Sequence, residues 1–90
     1  MIQLTDTVTR HPDTFARTIQ DMDIVIQTGR SELHTFNPVG ARVWELIDGQ
    51  RTVADIASLI VAEYDVEQAT AEADVLELLE RLQEKQLITT

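Results

Sequence analysis

The sequence predicts an α+β fold, a three-stranded antiparallel meander followed by three α-helices, in one domain spanning residues 1–90. Two observations predict it. Apolar residues come in short, roughly alternating runs up to Phe36, and from Asn37 onward they recur at helical spacing. Ninety residues leave no room for a second core.

Asp23–Gln27 (DIVIQ) and Glu32–Phe36 (ELHTF) read as strands, with Thr28-Gly29-Arg30-Ser31 as the hairpin loop between them. Phe15–Ile19 is a weaker first strand, set off by Gln20-Asp21-Met22. Asn37 is suited to cap the first helix because Pro38 follows, and a proline at the first helical position forfeits no hydrogen bond. Val39, Val43, Leu46 and Ile47 then share one face, and Asp48-Gly49 ends the helix. Thr52-Val-Ala-Asp55 resembles a capping box and opens a second helix, whose buried stripe is Val53, Ile56, Ala57, Ile60 and Tyr64. A third helix runs from about Glu67 to Gln86 on an inner face of Val75, Leu78, Leu79 and Leu82, and Leu87-Ile88 folds back as an anchor. The inventory is that of a winged-helix-turn-helix-like domain.

Composition excludes several functions. The chain has no cysteine, hence no disulfide framework or thiolate metal site. No apolar run approaches a membrane span and no signal-peptide pattern opens the chain, so the expected location is cytoplasmic, with no membrane partner. Residues 37–90 carry eleven acidic and four basic side chains within a net charge of −9, and the third helix has six acids against Arg81 and Lys85. Phosphate would be repelled by that helix, so nucleic acid is not the partner. His11 and His34 are far apart, and the glycines form no phosphate loop. No nucleophile, metal or cofactor constellation stands out, so no enzyme and no cofactor are expected.

Protein recognition remains. The last strand of the meander would expose an unpaired edge, a template for an added strand. That edge would serve equally to pair two copies into a homodimer. On the third helix, a thin stripe at ~80–160° from Val75, at 100° per residue, holds Ala69, Ala73, Leu76, Glu80 and Gln83. These small and apolar residues among acids either floor a peptide groove or, in the case of Leu76, widen the core stripe.

The stretch Asn37–Ala57, NPVGARVWELIDGQRTVADIA, resembles the signature of PqqD-like proteins, in which L-N-x-x-G/A-x-x-I-W-x-L-x-D-G precedes T-V-x-E-I-A, with Phe36 here in place of the common leucine. The likeness extends upstream to His11-Pro12-Asp13 and Ala16-Arg17, and downstream through Ala73–Leu82, so that residues 10–88 are covered. Dedicated pyrroloquinoline quinone members usually show P-E-G and C-D-G where this chain has Thr28–Ser31 and Ile47-Asp48-Gly49, so it is more similar to the general members. The resemblance implies a RiPP recognition element, a peptide chaperone that binds the leader of a ribosomally made precursor peptide. It would present that leader to a maturase, often a radical SAM enzyme. The implied leader lies along Glu32, Leu33, His34, Thr35 and Phe36, facing Ala73, Leu76, Glu80 and Gln83. From their charge, Glu72 and Glu80 are expected to favour lysine or arginine nearby. A regulatory or structural interaction module without a precursor cargo is the alternative.

Overall fold

The computed structural model describes residues 1–27 and 32–90, so the expected hairpin loop at Thr28–Ser31 lies outside the described residues. In chain order the elements are β1 (Thr9–Arg10), β2 (Thr14–Ile19), β3 (Met22–Gln27), β4 (Glu32–Phe36), α1 (Pro38–Leu46), α2 (Val53–Tyr64), α3 (Gln68–Glu84) and β5 (Ile88–Thr89). The meander and three helices are thus the predicted ones.

β2, β3 and β4 form one antiparallel sheet with β3 in the centre. Gln20 and Asp21 both take positive φ and join Ile19 directly to Met22. A two-residue turn of that hand matches the twist of the flanking strands. Register places Ala16, Val25 and His34 on the face toward the helices, whereas Phe15, Ile26 and Leu33 form a row on the opposite face. β4 pairs only with β3 among the described residues, leaving its outer edge open.

Caps set the helix ends. Asn37 Oδ1 accepts from the Gly40 amide at 2.7 Å at the start of α1. The Thr52 hydroxyl and Asp55 carboxylate complete a reciprocal capping box on α2. The strap before β1 closes the same helix end, because the carbonyls of Leu4 and Asp6 accept from the Ala54 and Val53 amides at 2.9 Å. These amides would otherwise have no partner in the first turn. The strap also contributes Ile2 and Val8 to the core, and β1 pairs with β5. Residues 1–10 carry no periodic pattern in the sequence that predicts this strap.

Three expected apolar positions are displaced, and the first is Val39, which shares the apolar face of α1 in the sequence but is 37% exposed at its first turn. Tyr64, placed in the buried stripe of α2, is 38% exposed, because α2 ends there and Asp65 turns away with φ of +53°. Leu78 is half-buried, and the buried stripe of α3 is Ala71, Val75, Leu79 and Leu82. Leu76 is half-buried and packs against the core cluster. Leu87 and Ile88 are fully buried, so the expected C-terminal anchor is present.

Arg42 clamps α1 to α2 in a two-pronged contact with Glu63, Nε to Oε1 at 2.8 Å and Nη2 to Oε2 at 3.0 Å. Hydrogen bonding to Arg42 lowers the Glu63 carboxyl below its ordinary value of 4.5. A carboxylate depressed in the folded state adds stability above its unfolded value, and that stability is lost as pH falls through the lower folded value. Thermal melts below pH 4.5 should therefore lose less stability in Glu63→Gln than in the parent. Leu76→Arg should destabilise the fold by about 1–3 kcal/mol, seen as a lower urea midpoint, since it forces a cation against the core.

Candidate peptide-binding groove

β4 runs into α1 with one residue, Asn37, between strand and helix. This corner puts the end of a strand and the start of a helix side by side, across from α3. A cavity of about 540 Å³ lies in the angle. Thr35 and Phe36 of β4, Val39 and Gly40 of α1, Tyr64 of α2 and the following Val66 line one side and end of it. Asp74, Glu77, Leu78 and Arg81 of α3 form the other wall.

The surface is mixed in character. Val39, Tyr64 and Val66 are each more than a third exposed, which concentrates uncovered apolar side chains at the end nearest Phe36. A methyl group on Gly40 would meet Asn37 Oδ1 at 3.2 Å and Phe36 Cβ at 3.5 Å, so the glycine lets the corner close tightly. Behind it, the Phe36 and Trp44 rings pack at 6.0 Å, tilted by 32°. Arg10 braces that indole from β1, lying 5.4 Å over the ring and donating to the carbonyl oxygens of Trp44 and Glu45. On α3, Arg81 lies 3.7 Å from Glu77 in an exposed pair, and Asp74 has no hydrogen-bond or ion-pair partner among the described residues.

The strand half of the expected site and the helix half fare differently. Thr35 and Phe36 line the cavity. Glu32 opens the same strand, Leu33 lies on the outer face at 58% exposure, and His34 is half-buried on the inner face. None of the expected helix residues lines the cavity. Glu72 accepts from Gln68 at 3.0 Å, Gln83 donates to Thr90 at 3.4 Å, Leu76 packs on the core, and Ala73 and Glu80 lie off the wall. This difference between the expected helix residues and the cavity lining has a geometric cause. The sheet stands against the flank of α3 at ~200–300° from Val75, across the buried stripe from the expected flank. Helical phase locates a stripe and two flanks, and only tertiary packing decides which flank meets the sheet. Val39, Gly40, Tyr64, Val66, Asp74 and Leu78 line the cavity without being expected there from the sequence, although the apolar Val66 in a helix break is a readable signal.

The N-terminal strap does not occupy this space. It runs to the start of α2, where Thr7 bridges Thr52, and no residue before Thr35 lines the cavity. No helix of the described residues is long and apolar enough to cross a membrane.

Comparison with known proteins gives the same picture at three levels. Residues 23–88 match the family profile of Coenzyme PQQ synthesis protein D (PqqD). A 41-residue stretch is 49% identical to the PqqA binding protein of Xanthomonas oryzae pv. oryzae strain PXO99A, covering 46% of this chain and 45% of that protein. The PqqA binding protein of Xanthomonas euvesicatoria pv. vesicatoria is 46% identical over the same length and share. The match thus spans slightly less than half of these curated relatives. Among solved structures, TbiB1 in complex with the TbiA(beta) leader peptide superposes with a TM-score of 0.79 at 25% identity, covering 89% of this chain and 93% of that one. The stand-alone PqqD truncation of Methylobacterium extorquens PqqCD, a RiPP recognition element, shares the fold with a TM-score of 0.86 at 22% identity over 100% and 96% of the two chains. Since the family profile covers well over half of its length, the chain belongs to the PqqD family.

Proposed function

We propose that this protein is a non-catalytic adaptor that binds the leader of a ribosomally synthesised precursor peptide. It adds that leader as a strand along β4 and presents it to a maturation enzyme such as a radical SAM protein. The observation that carries the proposal is the open edge of β4 beside an unfilled, partly apolar groove. An edge strand directs the amide and carbonyl groups of alternate residues away from its neighbour, toward the position a fourth strand would take. Backbone hydrogen bonds to such a strand fix register, and pockets for alternate side chains give specificity. The names of the relatives, which bind PqqA, and the leader peptide held by TbiB1 support the same reading.

Binding would occur in the cytoplasm, and the chain itself supplies recognition while its partner supplies chemistry. An unstructured leader loses conformational entropy when it becomes a strand, so the affinity expected is in the range of about 0.1–10 μM.

Titrating the leader peptide encoded with this chain should shift amide resonances of Leu33–Asn37, Val39, Asp74 and Leu78. Shifts confined to β1, β5 and the start of α2 would overturn the proposal. Val39→Arg, at an exposed position, should leave the thermal midpoint within a few degrees of the parent and weaken leader binding about tenfold or more.

A further inference from the structure

The groove is not symmetric from end to end, and its asymmetry specifies a class of peptide. Val39, Tyr64 and Val66 gather at the end of β4 that carries Phe36. The start of β4 lies toward the other end of α3, because Glu32 is opposite Gln27, and Gln27 Nε2 donates to the Gln86 carbonyl at 3.2 Å. β4 and α3 therefore run in opposite directions along the groove. A peptide lying between them meets the apolar end first and the charged wall of α3 afterwards.

Helix and strand spacings fix where the charges fall. Side chains facing the groove recur every second residue of an added strand, about 7 Å apart. Along α3, Asp74 stands about 4.5 Å and Glu77 about 9 Å beyond Ala71, which borders the apolar end. A peptide with one side chain in the apolar end thus brings its next groove-facing side chain between these two carboxylates. Glu77 shares its charge with Arg81, but Asp74 is unpartnered among the described residues and exposed. Antiparallel pairing is the more stable mode per residue and continues the pattern of this sheet. With that pairing, the peptide runs in the same direction as α3.

We infer that the groove selects peptides in which a bulky apolar residue at position i is followed by lysine or arginine at i+2, with Asp74 as the residue that reads the cation. The inference rests on strand addition at β4 and adds to it a charge code and a chain direction. Leu78, on the core side of both carboxylates and about one turn along α3 from Asp74, offers apolar surface to the methylene stem of the cation. The expectation that Glu72 and Glu80 would attract the cation is replaced by Asp74 and Glu77, the acids that line the wall.

Three synthetic decapeptides test this, with leucine at i and lysine, glutamine or glutamate at i+2, and threonine and serine elsewhere. Fluorescence anisotropy should rank lysine over glutamine over glutamate, with lysine over glutamate by about three- to tenfold at low salt. The ratio should shrink toward one at 1 M salt, where screening acts within about 3 Å. Asp74→Lys should invert the ranking, with unchanged circular dichroism confirming the fold. A peptide with lysine at i−2 should bind no better than the glutamine peptide. Equal binding of the lysine and glutamate peptides, or a ranking unmoved by Asp74→Lys, would overturn the charge code and leave strand addition standing. Failure of all three peptides to bind at millimolar concentration would overturn both.

Discussion

The corner at Asn37 is the constraint on which the rest of the site depends. A strand and a helix meet there with a single residue between them, and the Asn37 side chain holds the turn by accepting from the Gly40 amide. Pro38 suits the first helical position, where no amide partner is needed. The absence of a side chain on Gly40 lets Phe36 approach the helix, and Phe36 in turn stacks toward Trp44 in the core. A longer connection would let α1 drift from the strand, and the apolar end of the groove would lose Val39. Backbone chemistry over four residues thus determines the width of a cavity built by four elements.

Charge is divided in a way that serves this geometry. The acids of α3 are mostly solvated, and the buried stripe beneath them is purely apolar. At the groove, exposed carboxylates border a partly apolar surface, so an incoming side chain meets both kinds of contact within one helical turn. The remaining strong contacts, Arg10 on the end of α1 and Arg42 on Glu63, lie outside the cavity wall and hold its supports in place. Rigid supports around an unfilled groove lower the ordering that binding must bring about on the protein side.

Local signals carried most of the fold in the sequence. Asn37-Pro38 and Thr52 through Asp55 mark helix starts by specific hydrogen bonds, and Asp23–Gln27 alternates with the period of a strand, so these elements were legible. The β4 edge was legible for the same reason, since order in a meander follows chain order. The helix wall was not. Ala73 and Leu76 are as plausible a groove floor as Asp74 and Leu78 when only phase is known, and the choice is made by contacts far apart in the chain. The strap was equally hidden, because Ile2, Leu4 and Val8 act through carbonyls and burial at α2 rather than through any periodic pattern.

The pairing of β1 with β5 has a practical side. It brings both ends of the chain together at the start of α2, whereas the cavity opens at Ile60 and Tyr64 near the finish of that helix. About 12–18 Å of helix separates the two places. A fluorophore or fusion partner attached at either terminus would therefore sit clear of an incoming chain, and two probes, one at a terminus and one on a guest peptide, would lie within useful range for energy transfer.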